Sequence, residues 1–445
     1  MAPSGVGTHR GFSGRLYGVT LRNWAGNITF DPKSFLEPSS LQELQRVVAL
    51  SSSCRILGTG HSFSPVAVTD GDLISLAKLP TRIEIDPERS EVTVSPGTRY
   101  GELAAALHAR GFALPNLGSL PHISVAGACS TGTHGSGDRN GCLASSVAGI
   151  ELVVADGELL HVSRQSHPAG FDGHVVALGS LGVISALTLA VEPTFAVRQE
   201  VFDDLGFDHA LDHLDELFSG GYSVSLFTSW TRPVFDQVWR KRRVGESDRG
   251  QPADVGAPWF GARSAESPRH PVVGMPAEVC TQQMGVAGPW HERLPHFRLD
   301  FTPSAGDELQ TEYLIDRSHS AEALRSLQTI CTRIAPALLI SEVRSVARDE
   351  LWLSPAFGRE SIAIHFTWKP DALAVAPVIR RIEALLEPFG ARPHWGKVFS
   401  LPPTYIAARY PRFRDAADLA QSYDPLGKFE NEFTSTYLRG SALVG

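Results

Sequence analysis

The chain has 445 residues, 42 % hydrophobic and 20 % charged, with 41 glycines and 30 prolines. That balance excludes wholesale disorder, and at roughly 100–200 residues per domain the length implies two or three domains. The net charge of −8 leaves no basic excess to offset phosphates, which argues against a nucleic-acid partner.

The longest run without charge, Gln or Asn covers residues 174–191. Gly179, Ser180, Gly182 and Ser185 divide it, so it reads as two short elements and a turn rather than a membrane span. Cys54, Cys129, Cys142, Cys280 and Cys331 are odd in number and widely spaced, with no C-x-x-C. Reduced thiols in a cytoplasmic protein are expected, not a disulfide framework or a zinc site. The first 30 residues carry Arg10, Arg15 and Arg22 and no acid. They lack the apolar core of a secretory signal, and a frayed terminus is the expectation.

Ser40-Leu41-Gln42-Glu43 is a capping box ahead of a helix ending near Ala49. A short strand at 55–57 leads into Gly58-Thr59-Gly60-His61-Ser62-Phe63. Ile83/Ile85 and Val92/Val94 alternate with polar residues around Pro87-Glu88-Arg89, a hairpin pattern. Residues 100–110 form a helix stopped by Gly111. Asp156-Gly157 joins strands at 150–155 and 159–162. The first ~190 residues are thus a mixed unit of many short strands. After Pro193 longer polar loops enter, notably 245–270, read as an excursion or lid. A helix at 320–334 and a strand at 361–368 follow. The expected division is 1–195, 196–398 and a segment 399–445, too short to fold alone, that docks on a domain.

Six glycines (118, 127, 132, 135, 137 and 141) fall within 24 residues, interleaved with Ser119, Ser124, Ser130, Thr131 and Thr133. Such chain can approach a ligand closely and aim N–H groups at an anion. A structural loop is the other reading. No G-K-[ST] follows and no G-x-G-x-x-G opens a helix, so neither common nucleotide fingerprint is present. His61, in a glycine-flanked turn, is either structural or the covalent anchor of an electrophilic cofactor. His291 and His296 are five apart and H-E-x-x-H is absent, which gives no support for a metal.

Side chains alternate along a strand. Glu342 and Arg344 therefore share one face of 341–345. His365 and Thr367 share the face opposite Ile362, Ile364, Phe366 and Trp368. Solvent exposure would be the ordinary fate of both pairs. With Lys397 of His394-Trp395-Gly396-Lys397, they would otherwise line a cavity suited to a ligand with several hydroxyls.

Gly58-Thr59-Gly60-His61-Ser62-Phe63 resembles the flavin-attachment motif of the vanillyl-alcohol-oxidase (PCMH-type) superfamily, and within it the alditol (xylitol, sorbitol) oxidases. The likeness extends through 23–27, 120–127, 131–137, 289–297 and 394–399. The histidine motif alone also admits gulonolactone-type oxidases; the 23–27 and 289–297 segments narrow it. The resemblance implies an α+β, two-domain FAD-binding fold with an α+β substrate (cap) domain. It implies FAD bonded through its 8α-methyl to His61, along Ile56, Leu57, Gly58, Thr59, Gly60, Ser62, Ser119, Ser124, Gly127, Thr131, Gly132, Thr133 and His134. Ile184 would touch the adenine end and His394 the flavin side. Ser119, Glu342, Arg344, Thr367 and Lys397 match substrate-contacting positions, with His365 one step behind. The implied reaction moves a hydride from C1 of a polyol to the flavin and electrons on to O2, giving H2O2. Lys397 and Arg344 would stabilise developing negative charge, and His365 or a water held by Glu342 and Arg344 would be the base. Gly118 would leave room for O2. The partners implied are a polyol and O2, with no metal, nucleic acid or membrane, and the protein is expected to be a monomer. The alternative is an aldonolactone oxidase or dehydrogenase on the same fold.

Overall fold

The 83–94 alternation folds as the strands Ile83–Asp86 and Glu91–Val94. In this computed structural model, which describes residues 21–245, 256–301 and 308–439, they join a five-stranded antiparallel sheet. Its order is Leu159–Ser163, Val147–Val153, Val183–Ala190, Glu91–Val94, Ile83–Asp86. Gly157 turns the edge hairpin at φ +87°, the left-handed conformation that glycine adopts without a Cβ clash. The 174–191 run resolves into the helical turn Asp172–Val175 and the strand Val183–Ala190. Arg10 and Arg15, and positions 246–255 of the expected excursion, lie outside the described residues.

A second sheet is parallel: Ser34–Leu36, Asp72–Ser75 and Cys54–Leu57, with Asp72–Ser75 central. Parallel strands need crossovers: the helix Leu41–Leu50 carries the chain from one outer strand to the other, and residues 58–71, which include the His61 turn, carry it back to the central strand. Ser40 caps that helix on the Glu43 N–H at 3.2 Å. The reciprocal half of the expected box is displaced: the Glu43 carboxylate accepts from Ser39 N at 2.7 Å.

The third sheet has nine strands. Its order is Arg263–Ser264, Ala196–Gly206, Val234–Val244, Ser223–Thr228, Leu338–Val346, Ser361–Trp368, Leu309–Asp316 and Arg392–Pro393, with Gly288–Pro289 also paired to Ala196–Gly206. Ile362, Ile364, Phe366 and Trp368 are buried on one face. The helix Ala372–Leu386 is fastened to the neighbouring strand where the Tyr313 hydroxyl donates to Glu383 at 2.9 Å. The helix expected over 320–334 is broken into Ser320–Gln328 and Cys331–Ile334. Ile330, at φ −117° and ψ 18°, leaves the helical range between them.

The stretch after residue 398 returns to the parallel sheet. Cys54 N–H donates to Lys428 O at 2.8 Å, and Asn431 Nδ2 donates to Val68 O at 2.8 Å. Arg55, 4 % exposed, donates to Leu178 O (2.7 Å), Gly179 O (3.0 Å), Phe429 O (2.6 Å) and Val66 O. One guanidinium thus ties three separate segments to the strand that leads into the His61 turn. Burial pushes its pKa down to about 10, still far above neutrality, so it stays charged. Arg55→Met would leave those carbonyls without a donor. A loss of about 3–5 kcal/mol is expected for breaking such a buried charged network, measured as a lower urea midpoint; an unchanged midpoint would remove Arg55 from this role.

Candidate active site

The nine-stranded sheet aligns three residues in register. Glu312 pairs with His365, and His365 with Glu342, across adjacent strands. Opposed residues on antiparallel strands project from the same face, so these three form one row. Arg344 lies on the next row beside Glu342, and Thr367 on the other side of His365. The 394–398 segment follows the edge of Leu309–Asp316: His394 N–H donates to Glu312 O (3.0 Å) and Val398 N–H to Gln310 O (2.9 Å). This delivers Lys397 to the row. Glu342, Arg344, His365 and Thr367 are all buried; ordinary solvent exposure is not their fate.

Glu312 joins the group together. Its carboxylate accepts from Lys397 Nζ at 2.6 Å and from Arg344 Nη2, and His134 Nε2 lies 3.5 Å away. Burial works against its charge, but Lys397, Arg344 and His134 outweigh that and hold it well below the usual carboxylate range. Glu342 behaves likewise, with Arg344 and His296 overcoming burial. His296 Nε2 donates to Glu342 Oε1 at 2.8 Å. His365 Nδ1 meets Lys397 Nζ at 2.8 Å, and Nε2 meets Thr367 Oγ1 at 3.0 Å. Burial and then Lys397 keep His365 far below the ordinary histidine value, hence neutral. Burial also lowers Lys397, partly offset by Glu312.

The opposite wall is backbone. A Cβ on Gly58 would stand 2.7 Å from Ser124 Oγ, and one on Gly127 2.8 Å from it. Gly58 lets the His61 turn lie against Ser124, and Gly127 leaves room for the same hydroxyl within its own helix. Ser124 N–H also donates to Thr59 Oγ1 at 3.2 Å. The His61 turn is clamped from outside: Trp24 N–H donates to Gly60 O (2.8 Å), Asn23 Nδ2 to Ser62 O (2.9 Å) and Asn27 Nδ2 to Phe63 O (3.0 Å). The His61 ring packs against Trp24 at a centroid distance of 5.1 Å, and its Nδ1 is buried without a partner among the described residues. Burial, with His122 and Arg99, pushes its pKa down to about 4. A neutral imidazole with a free nitrogen has the chemistry of a nucleophile.

Both walls enclose one cavity of 780 Å³, within the ~300–1,000 Å³ of ligand clefts. It is lined by Ile56, Leu57, Gly58, Thr59, Gly60, His61, Ser62, Gly118, Ser119, Ser124, Gly127, Thr131, Thr133, His134 and Ile184. Glu342, Arg344, His365, Thr367, His394 and Lys397 line it too. Gly132 does not: at φ +68° it faces Pro355 and Val176 instead, where a Cβ would come within 3.1 Å of Pro355 Cδ. A long glycine-walled channel, an unpartnered imidazole and a polar end suit an extended cofactor at one end and a hydroxylated ligand at the other. Sequence reading missed Glu312, and it passed over His296 as a ligand without assigning it another role. The signal for Glu312 was there: Gln310 and Glu312 alternate with Leu309, Thr311 and Tyr313 as Glu342 and Arg344 do with their neighbours.

Residues 32–163 match the FAD binding domain family, and residues 307–437 match the D-arabinono-1,4-lactone oxidase family. Cholesterol oxidase from B. sterolicum shares the fold with a TM-score of 0.74 at 14 % identity, over 94 % of this chain and 96 % of that one. The protein is an FAD-dependent oxidoreductase of α+β fold. Over 425 residues, 95 % of this chain and 100 % of the other, it is 50 % identical to the alditol oxidase of Streptomyces sp. (strain IKD472 / FERM P-14339). L-gulonolactone oxidase of Mus musculus is 28 % identical over 94 % of this chain and 97 % of that one. The chain belongs to the alditol oxidase family.

Because Glu312 sits below its unfolded pKa of ~4.3, its contribution to stability is complete above that pH and lost as pH falls through the folded value. Glu312→Gln removes the contribution. The gap in melting temperature between wild type and Glu312→Gln is therefore expected to be widest near pH 7 and to narrow below about pH 4. A gap constant with pH would contradict the assignment.

Proposed function

We propose that the protein oxidises the terminal C1 hydroxyl of alditols such as xylitol and sorbitol to the aldose, with O2 reduced to H2O2. The observation that carries this reading is the buried row on the sheet. Carboxylate acceptors and cationic donors alternate within one cavity end, opposite the His61 wall. A linear polyol offers a donor and an acceptor at each carbon, and such a row matches it group by group. The 50 % identity to an alditol oxidase over its full length supports the same substrate class. We divide the chain into an FAD-binding domain, 1–195, a substrate domain, 196–398, and a C-terminal segment, 399–445, belonging with the first. We take the enzyme to be a cytoplasmic monomer.

FAD, when bound, supplies the two-electron acceptor that no side chain provides. Ile56 to Ser62, Ser119, Ser124, Gly127, Thr131, Thr133, His134, Ile184 and His394 would hold it, with His61 as the covalent anchor. Gly132, in the turn between Thr131 and Thr133, belongs with them in that set. Ser119, Glu342 and Thr367 grip the remote hydroxyls, which fixes C1 within the ~3–3.5 Å that reaction requires. Arg344 and Lys397 place positive charge where the alkoxide develops. Both cations are already committed to Glu312, so they are oriented before substrate arrives. Neutral His365, between Lys397 and Thr367, is the base or orders the water that is. Beside Ser119, Gly118 lines the cavity, and a Cβ there would already touch Ile123 Cδ1 at 3.7 Å and His134 O and Thr133 Cγ2 at 3.9 Å; we take the bare glycine as the point where O2 enters.

The lactone oxidase match over 307–437 favours a second reading, oxidation of an aldonolactone. A peroxide-coupled assay on xylitol, sorbitol and L-gulono-1,4-lactone separates them. The alditols should exceed the lactone in kcat/KM by about 100-fold or more, as expected for a site built to bond hydroxyls; the reverse order would establish the lactone reading. His61→Ala should release its flavin on acid precipitation while the wild type retains it. Yellow colour staying with the precipitated variant would refute the covalent link.

A further inference from the structure

A lysine is buried behind Glu342. Lys241 lies in the strand Val234–Val244, is 1 % exposed, and forms no ion pair among the described residues. Its Nζ instead meets Leu294 O (2.5 Å), Pro295 O (3.4 Å) and His296 Nδ1 (3.1 Å). These three acceptors match the three protons of an ammonium. His296 is held by Phe227 and Trp239, whose rings stand edge-on to it at 5.6 and 5.0 Å. Its backbone N–H donates to Ser119 O at 3.1 Å, so the same residue braces both Ser119 and Glu342.

We propose that Lys241 is a positioning residue that fixes the His296 tautomer and thereby orients Glu342 toward the substrate hydroxyls. The inference rests on the reading of Glu342 as a hydroxyl acceptor. With Lys241 donating to Nδ1, the single ring proton must sit on Nε2, where it donates to Glu342 Oε1. That oxygen is then occupied. Oε2, 3.6 Å from Arg344 Nε, is the one left for substrate. A neutral amine has only two protons, and both carbonyls can take them. His296 then gains a second tautomer, with its proton on Nδ1 facing the amine lone pair, in which the Nε2 lone pair faces the carboxylate. Glu342 would lose its donor and its fixed orientation.

The groups facing Lys241 are His296, Glu342, Arg344 and the Cys280 thiol. Burial and Lys241 hold His296 at about 4, and burial pushes Cys280 up to about 12, so both stay neutral. Glu342 is held low and Arg344 high, so both stay charged. Burial brings Lys241 down to about 7, which makes it the one member of this group that titrates near neutrality.

The test is steady-state kinetics on xylitol from pH 6 to pH 9, using flavin-loaded enzyme. Wild-type KM should rise as pH climbs past about 7. Lys241→Met should raise KM at pH 6 by about tenfold, the scale of one charge-assisted hydrogen bond, with a smaller change in kcat and with the pH-dependent rise gone. His296→Gln keeps an amide donor for Glu342 and should retain a low KM at every pH; adding Lys241→Met to it should cost nothing more. If Lys241→Met does not fold, His296→Leu carries the same expectation. Wild-type KM and pH profile in Lys241→Met, or in His296→Leu, would overturn the proposal. Glu342→Gln separates the two levels: a raised KM there with none in Lys241→Met sinks only the tautomer device, whereas an unchanged KM in Glu342→Gln sinks the reading of Glu342 itself.

Discussion

A carboxylate with almost no access to water is the constraint around which the site is arranged. Glu312 is 1 % exposed, and a buried charge survives only if its lone pairs are met by fixed donors. Arg344 and Lys397 meet them from two different segments of chain. Neither cation can relax away without leaving Glu312 uncompensated, and neither can be removed without a similar cost. The cluster is therefore stiff. Stiffness is what electrostatic catalysis asks of its charged groups, because donors already aimed need not reorganise during the reaction.

Sheet register explains how residues so far apart in sequence meet. Positions 312, 342, 344, 365 and 397 come from four segments, three of them adjacent strands. Antiparallel pairing fixes which residues stand opposite one another, and a slip of one residue would turn every polar side chain to the helix-covered face. The apolar residues between them, Tyr313, Val343, Ile364 and Phe366, are all fully buried and penalise such a slip. The hydrophobic core thus sets the geometry of the polar row, although it contributes no atom to it.

Much of this was legible in the sequence, but only where the pattern was local. Period-two alternation put Glu342 beside Arg344 and His365 beside Thr367, and glycine clustering marked the backbone wall. What alternation cannot reveal is which strands are neighbours. Glu312 carries the same pattern as Glu342, yet its importance depends on pairing with the strand of His365, a contact spanning 53 residues of chain. Lys241 is harder still, since a lysine in the basic run Arg240-Lys241-Arg242-Arg243 reads as surface. Gly132 belongs to the glycine cluster by composition, and its φ of +68° adds a turn on whose Cβ side Pro355 and Val176 pack. Local motifs locate the ligand-facing backbone; long-range pairing decides which charges are brought to it.

The distribution of donors and acceptors bears on substrate more strongly than the fold does. The fold is shared with a cholesterol oxidase at 14 % identity, so architecture alone selects no substrate. A lactone brings a carbonyl and a ring oxygen, both acceptors, in place of two hydroxyls. A site with only cations would receive it well. Here Glu342 adds an acceptor whose free oxygen demands a donor, and a buried acceptor left unpaired costs about 1–3 kcal/mol. A linear polyol supplies a donor at every carbon. Under the proposed reading the Glu342 carboxylate is where a polyol hydroxyl finds its acceptor, and a lactone would satisfy it only by turning one of its remaining hydroxyls there.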